Sequence, residues 1–245
     1  MLAQLDVVTT FSPSDIRLAM LALGARQKTV VPGVDLAREG ETLENMCVLI
    51  EGWAARYRTF EDGRRQIVAL SLPGDVCCYD VICETPQQYS VCALTRAKIE
   101  SLSARLMRDR FSQDRNLARL FLAEVMTDMS IQQEWTVNLG RRSATERLGH
   151  LFCEIFFRMQ RAGLAADQSC DFPLTQTDLA DIMGLTPVHI NRTLQHLRSQ
   201  ELVILNRRQL IIPDLERLQQ ASLFRPRYLC PNWVEPVLMW SRLHQ

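Results

Sequence analysis

The chain lacks an excess of charge of either sign, a long hydrophobic run and an export signal. Its 28 Lys and Arg residues balance 28 Asp and Glu residues, which argues against a surface coated with positive charge but leaves room for a local basic patch. No stretch of about 18 apolar residues is present, so we expect no transmembrane helix. The N-terminal residues show no basic and apolar signal pattern, and we expect a cytoplasmic protein. In that reducing compartment the eight cysteines are expected to be thiols.

Sequence motifs of common enzymes are missing as well. The chain contains no G-x-S-x-G elbow, no phosphate-binding Walker loop and no H-E-x-x-H zinc motif. A cupin-type metal site needs clustered histidines, and residues 25–100 contain none. We therefore expect no enzyme, and an enzyme built on a β-barrel is the weakest alternative. A regulatory subunit that binds a ligand and contacts protein rather than DNA is a further alternative.

Short strands dominate the first half of the chain. Apolar residues make up 47% of the sequence, enough for a sizeable core. After a short helix predicted over residues 12–24, apolar and aromatic runs alternate with turn signals up to about residue 100. Residues 53–60 and 66–72 predict a hairpin, because Asp62 and Gly63 between them supply the backbone conformation that a tight turn needs. Many short strands at this spacing predict an antiparallel barrel or sandwich.

A long helix is predicted over residues 102–139, which contain no proline or glycine. Along it, residues at alternating steps of four and three form a mostly apolar seam typical of a coiled coil. We predict that this seam pairs two copies of the chain; the alternative is a helix that packs on its own domain. The seam comprises Ala118, Leu122, Val125, Met129 and Gln132, and continues to Thr136 and Leu139. Further helices are predicted over residues 144–161 and 214–223.

Two short amphipathic segments joined by a glycine follow at residues 174–197. Thr175 can cap the first segment, and Gly184 supplies the left-handed turn between the two. Thr186 can cap the second segment and Pro187 can begin it, an arrangement favoured at helix N-termini. The spacing is that of a helix-turn-helix; the alternative is an ordinary helical hairpin with a solvated polar face.

The second segment has two chemically different faces. Ile190, Leu194 and Leu197 form an apolar face, and the opposite face carries side chains that hydrogen-bond base edges or phosphates. Residues 201–213 then predict a winged hairpin with basic residues at its tip, where they can meet phosphate. The predicted DNA-contacting residues are Thr175, Gln176, Thr186, Pro187, Val188, His189, Asn191, Arg192, Gln195, Arg207 and Arg208.

Taken in this order, the segments resemble the Crp/Fnr family of bacterial transcription regulators over about residues 10–225. The resemblance implies an α+β fold. Its parts are a jelly-roll-like, cyclic-nucleotide-binding-like sensory β-roll at residues 1–101, a dimerisation helix at 102–140, a winged helix-turn-helix at 141–225 and a tail at 226–245. It also implies a homodimer that reads a near-palindromic site on double-stranded DNA and works with RNA polymerase.

The effector pocket departs from the pattern that this resemblance implies. Cyclic-AMP-binding members hold the ribose with a Glu and the phosphate with an Arg-Ser pair, both after a Pro-Gly-Asp turn. Aligned from residues 73–75, those positions hold Tyr79 and Tyr89-Ser90, so the cyclic phosphate loses its arginine partner. We therefore expect a regulator that does not depend on cyclic AMP and has another effector or none. The pocket residues are expected to be Gly74, Asp75, Cys77, Tyr79, Tyr89 and Ser90.

Four cysteines, Cys77, Cys78, Cys83 and Cys92, crowd this region. Oxygen-sensing members with an iron–sulfur cluster keep their cysteines in an N-terminal extension, but the first cysteine here is Cys47. The four thiols can hold a metal ion or a cluster, act as a redox sensor, or be small buried apolar groups. No sharp ligand spacing is present, and Cys77 and Cys78 on a strand would point to opposite faces.

The recognition segment departs as well. Many family members carry a Glu four residues before the arginine that matches Arg192, and Val188 occupies that position here. A glutamate accepts a hydrogen bond from cytosine, whereas a valine can only contact a thymine methyl group. We therefore expect a half-site that differs from the family's best-known sequences, with His189 and Asn191 sharing the readout.

Overall fold

A computed structural model describes residues 24–229 of the chain, so the helix predicted at 12–24 and most of the tail lie outside the described residues. The N-terminal part is a β-roll of two antiparallel sheets, with strand orders β1-β7-β3 and β2-β6-β4-β5. This confirms the predicted antiparallel β-roll. Its strands are β1 Arg26–Val30, β2 Asp35–Ala37, β3 Asn45–Glu51, β4 Ala54–Thr59, β5 Arg65–Ser71, β6 Ser90–Ala93 and β7 Ala97–Ser103.

The hairpin of β4 and β5 forms at the predicted residues. The two strands pair from Ala54 opposite Ser71 to Thr59 opposite Arg65. Gly63 in the turn has a φ of 82°, which costs little for a residue without a Cβ atom. The hairpin therefore places Arg65 at the first position of β5, directly after the turn.

The predicted long helix is divided in two, α1 at Ala104–Gln113 and α2 at Arg115–Arg141. Asp114 between them has an extended backbone, and its carboxylate accepts hydrogen bonds from two backbone N–H groups in the first turn of α2. The prediction of one continuous helix over 102–139 is therefore wrong, because an aspartate cap ends one helix and begins the next without proline or glycine. No helix in the described part of the chain is long and apolar enough to cross a membrane.

After α2, the described chain forms four helices, four short strands and a final 3-10 helix at Pro226–Leu229. The strands make one antiparallel sheet in the order β10-β11-β9-β8. The two predicted flanking helices and the hairpin are confirmed, whereas β8 and β9 were not predicted. The elements are α3 Ala144–Arg161, β8 Ala165–Ala166, β9 Ser169–Asp171, α4 Gln176–Met183, α5 Pro187–Ser199, β10 Ile204–Asn206, β11 Gln209–Ile211 and α6 Leu215–Ala221.

One apolar core joins this C-terminal part to the β-roll. Trp53, Ile67 and Leu70 of the β-roll lie in the same buried cluster as Phe152 of α3 and Phe172, which follows β9. The rings of Trp53 and Phe172 meet edge to face with their centroids 6.2 Å apart, a favourable geometry for two aromatic rings. The two parts thus share buried apolar surface in addition to the helices that connect them.

Candidate nucleic-acid interface and effector region

Caps at the predicted residues hold both helices of the helix-turn-helix. The Thr175 hydroxyl accepts a hydrogen bond from the Asp178 backbone N–H at 3.1 Å, and the Asp178 carboxylate accepts one from the Thr175 N–H at 2.9 Å. This reciprocal pair is a capping box. Gly184 ends α4 with a φ of 62°, and Thr186 caps α5, which begins at Pro187. The predicted cap, turn and start residues of the two helices are confirmed.

Helix α5 presents an exposed face opposite its buried one. Ile190, Leu194 and Leu197 are buried in the core, as the apolar spacing predicts. Among the described residues the Arg192 guanidinium has no hydrogen-bond or ion-pair partner, so it is available to an acceptor outside the chain. The exposed face comprises Val188, His189, Arg192 and Gln195.

Asn191 lies half-buried at the edge of this face and contacts the first helix of the motif. Its side-chain amide nitrogen donates a hydrogen bond to the Gln176 side-chain oxygen at 3.3 Å. The two predicted DNA-contacting residues are therefore brought together across α4 and α5. Gln176 helps to orient Asn191 and also lies at the exposed surface itself.

The tip of the wing carries two arginines in an unusual backbone conformation. Arg207 and Arg208 have φ angles of 43° and 71°, values that residues other than glycine rarely adopt. They form the two-residue turn of the β10–β11 hairpin. Together with Arg198 of α5 they line a cleft of about 200 Å³. Arg198 was not among the predicted contacts, although its exposed position late in α5 marks it as a candidate.

Aromatic packing fills the position where cyclic-AMP binders carry the ribose-binding Glu. The Tyr79 ring meets Phe121 of α2 edge to face at 5.9 Å, and the Arg56 guanidinium lies 5.7 Å from the Tyr79 ring centre. Burial raises the pKa of the Tyr79 phenol well above its ordinary value. Arg56 itself is paired with Asp128 of α2 at 3.2 Å. The Arg56 cation of the β-roll is therefore already paired with a carboxylate of α2.

The Tyr89-Ser90 pair contacts different neighbours. The Arg58 guanidinium lies over the Tyr89 ring at 4.5 Å, and Arg58 also forms an ion pair with Glu39 at 3.1 Å. The Ser90 hydroxyl accepts a hydrogen bond from the Glu39 backbone N–H at 3.0 Å. The predicted pocket residues Tyr79, Tyr89 and Ser90 are thus each engaged with side chains or backbone of the β-roll.

The Pro-Gly-Asp turn reaches into the C-terminal part. The Gly74 N–H donates a hydrogen bond to the Leu49 carbonyl at 2.8 Å, and the Asp75 carboxylate accepts one from the Leu72 N–H at 2.6 Å. The same carboxylate pairs with Arg158 of α3 at 2.5 Å. Asp75 was predicted as a pocket residue, but its ion pair with Arg158 links the β-roll to the helix-turn-helix part. Arg158 was not predicted.

The cysteines of this region differ in accessibility. Cys77, Cys78 and Cys92 are buried, whereas Cys83 is exposed. Burial raises the pKa of Cys78 to about 12, so this group is a thiol at neutral pH. Cys77 and Cys78 pack in the same cluster. The expectation that they point to opposite faces is wrong, because the chain bends at Cys77 instead of continuing as a strand.

Within residues 24–229, no group of three or more His, Cys, Asp or Glu side chains is placed to hold a metal ion. The four cysteines that were considered as a ligand set are divided between buried positions and the exposed Cys83.

An arginine of the β4–β5 hairpin binds two carboxylates of α4, and we call Arg65, Asp178 and Asp181 the interdomain clamp. The Arg65 Nε lies 2.7 Å from an Asp181 oxygen, and its Nη2 lies 2.9 Å from an Asp178 oxygen. The neighbouring Gln66 donates a hydrogen bond to the Ile182 carbonyl at 3.2 Å. The clamp fixes the first helix of the helix-turn-helix against the β-roll, and the sequence patterns gave no sign of it.

Helix α2 packs on its own domain with one face and leaves the predicted seam open. Leu117, Ile131 and Trp135 are buried. On the adjacent row, Leu122 is 53% exposed and Met129 is 43% exposed. The other predicted seam residues, Ala118, Val125 and Gln132, are half-buried. The helix therefore has a row of apolar side chains available to a second chain, and the pairing itself stays a prediction.

Both parts of the chain are similar to domains of known proteins. Residues 27–114 match the cyclic nucleotide-binding domain, and residues 146–221 match the Crp-like helix-turn-helix domain. The solved structure of FixK2 from Bradyrhizobium japonicum has a similar fold, with a TM-score of 0.71 and 24% identity over 81% of this chain and 97% of that one.

Curated relatives are similar over most of their length. The nitrogen fixation regulation protein FixK of Azorhizobium caulinodans is 29% identical over 192 residues, which cover 75% of this chain and 74% of the relative. The transcriptional activator protein FnrL of Cereibacter sphaeroides is 27% identical over 195 residues, which cover 75% of each chain. The two matched domains, their order and these relatives show that the chain belongs to the Crp/Fnr family of transcription regulators.

Proposed function

We propose that this regulator binds double-stranded DNA as a homodimer and reads a near-palindromic site. The observation that carries the proposal is the exposed face of α5, where Arg192 has no partner within the described residues. A helix with such a face fits the major groove, and a two-fold dimer presents one such helix to each half-site.

The side chains of this face divide into base-reading and phosphate-binding groups. Arg192 can bind guanine through two hydrogen bonds, and Val188, which is 63% exposed, can contact a thymine methyl group. His189 and Asn191 supply further hydrogen-bonding groups to base edges. The residues at the helix starts and on the wing are suited to bind phosphates. They are Thr175, Gln176, Thr186, Pro187, Arg207 and Arg208.

The test is Arg192→Ala in the full chain, with a DNA site selected from a random pool by the wild-type protein. Loss of a two-bond contact to guanine costs about 1–3 kcal/mol. The dimer loses one such contact in each half-site, about 2–6 kcal/mol in all, so we expect affinity for the selected site to fall at least roughly 30-fold. Affinity for unrelated duplex DNA should change little. Wild-type affinity should also decrease steeply with salt, because phosphate contacts release counterions.

The control variant is Arg110→Ala, which removes another exposed arginine, in α1 and outside the proposed interface. It should bind the selected site like the wild type. An Arg192→Ala protein with unchanged affinity would disprove the role of α5. A wild-type protein that selects no duplex site would instead support the alternative of a subunit that contacts protein.

Regulation, in our proposal, does not depend on cyclic AMP. The paired and stacked side chains around Tyr79 and Tyr89 support this, since the two arginines beside them, Arg56 and Arg58, are already engaged within the described part of the chain. A conformational change in the β-roll is transmitted to the helix-turn-helix through the Asp75–Arg158 pair and through the interdomain clamp. It shifts the balance between two conformations of the regulator. RNA polymerase is the proposed partner of the DNA-bound dimer.

A further inference from the structure

Cys47 and Cys77 lie opposite each other on neighbouring antiparallel segments of the β-roll. Val48 and Val76 form an antiparallel bridge between these segments. Next to the bridge, the Cys77 N–H donates a hydrogen bond to the Cys47 carbonyl at 2.9 Å. In an antiparallel pair with this register, the residue before Val48 faces the residue after Val76.

The packing places both cysteine side chains on one face. Met46, Val48 and Val76 join one buried cluster, whereas Cys47 and Cys77 join the other, as expected when successive side chains of a strand alternate. The backbone hydrogen bond makes Cys47 and Cys77 direct neighbours, and both side chains enter the same cluster. A disulfide needs Cα atoms about 4.4–6.8 Å apart and Cβ atoms about 3.5–4.5 Å apart. The chain bends at Cys77 instead of continuing as a strand, so a second strand does not hold this residue in a fixed register.

We propose that Cys47 and Cys77 form a reversible disulfide and make the β-roll a site of oxidation by hydroperoxides. Cys47 is the more accessible of the two thiols and reacts first. Its thiolate sulfur attacks a peroxide oxygen, the O–O bond breaks, and the departing hydroxide is protonated to water, which leaves a sulfenic acid. The Cys77 sulfur then attacks this sulfur, the S–S bond forms and the S–O bond breaks. A second water departs with the Cys77 proton, so two thiols are oxidised and one hydrogen peroxide is reduced.

The reaction is slow. Burial raises the pKa of both thiols above their ordinary value, although a hydrogen bond from Ser101 and the charge of Lys28 oppose this at Cys47. The reactive thiolate is therefore scarce at neutral pH. The disulfide records sustained oxidation rather than a brief pulse, and its test needs hours of exposure.

The proposed bond has a defined structural consequence. It links β3 to the segment that follows the Pro-Gly-Asp turn, two residues after Asp75. Because Asp75 binds Arg158 of α3, oxidation fixes the segment from which the β-roll contacts the helix-turn-helix part. The proposed disulfide does not depend on the proposed DNA site. Whether the bond forms is measured directly on the protein, independently of DNA binding.

The experiment treats the reduced full-length protein with hydrogen peroxide, blocks free thiols and maps the disulfides by mass spectrometry. We expect a loss of about 2 Da per disulfide that is restored by dithiothreitol. We also expect a cross-link between the tryptic peptide of residues 39–56, which contains Cys47, and that of residues 66–96, which contains Cys77. Fragment ions assign the bond to Cys77. The oxidised protein should melt at a higher temperature, because the bond restricts the unfolded chain.

Three variants complete the test. Cys47→Ser changes a half-exposed residue, so it should fold and lose the cross-link; Cys77→Ser should lose it as well. The matched control is Cys78→Ser, which removes the adjacent buried thiol and should keep the cross-link. Oxidation of the exposed Cys83 confirms that the peroxide has reacted. The proposal is overturned if Cys47 and Cys77 remain reduced when Cys83 is oxidised, or if Cys47 is linked to another cysteine.

Discussion

At the scale of single residues, Tyr79 and Tyr89 decide which ligands the β-roll can hold. Arg56, the cation near Tyr79, is already paired with Asp128, so a cyclic phosphate entering there would lose its hydration without gaining an ion pair. We predict that cyclic AMP leaves the melting temperature unchanged in thermal unfolding. A site with a dissociation constant of about 10 µM would stabilise the protein by about 2.7 kcal/mol at about 1 mM ligand, which is easily measured.

The control ligand for this measurement is linear 5′-AMP at the same concentration. It carries the same base and sugar and reports any unspecific effect of an adenine nucleotide. A melting temperature that increases with the dose of cyclic AMP, but not with the dose of 5′-AMP, would show that a cyclic-phosphate site exists despite the two tyrosines.

At the scale of elements, the open row of α2 gives the next prediction. In a two-fold coiled coil a residue near the axis meets its own copy, so Met129→Glu would place two like charges in an apolar seam. We predict that this variant sediments as a monomer at concentrations where the wild type is a dimer. Val137→Glu is the matched control, because Val137 is also exposed but lies off the seam row. Equal sedimentation of Met129→Glu and wild type would contradict the seam.

The same elements show what a sequence reveals and what it hides. The helix-turn-helix was predicted residue by residue because its caps and turn act within four positions of the chain. The break between α1 and α2 was missed because Asp114 resembles any surface aspartate until its carboxylate is seen to cap α2. Strands β8 and β9 have two and three residues, too few for an alternating pattern to be recognised.

At the scale of the whole molecule, the missed contacts are those between the two parts. Arg65 meets Asp178 and Asp181 over more than 110 positions of sequence, and Arg158 meets Asp75 over 83. Such contacts depend on how the two folded parts pack against each other, and no local sequence pattern encodes that arrangement. They matter for regulation because each links a segment of the β-roll directly to a helix of the DNA-binding part, so a change in one part alters the contacts of the other.

The interdomain clamp allows this coupling to be measured. Its side chains are mostly shielded from solvent, so Arg65→Ala leaves two carboxylates without their partner, and we expect a loss of stability of about 2 kcal/mol. We also expect one calorimetric transition for the wild type and two for Arg65→Ala, because the β-roll and the helix-turn-helix part would then unfold separately. The control is Arg64→Ala, since Arg64 is exposed and, among the described residues, contacts Asp62 and Phe60 of its own hairpin. If Arg65→Ala melts like Arg64→Ala in one transition, the clamp is not needed for coupling, and the shared apolar core and the Asp75–Arg158 pair hold the two parts together.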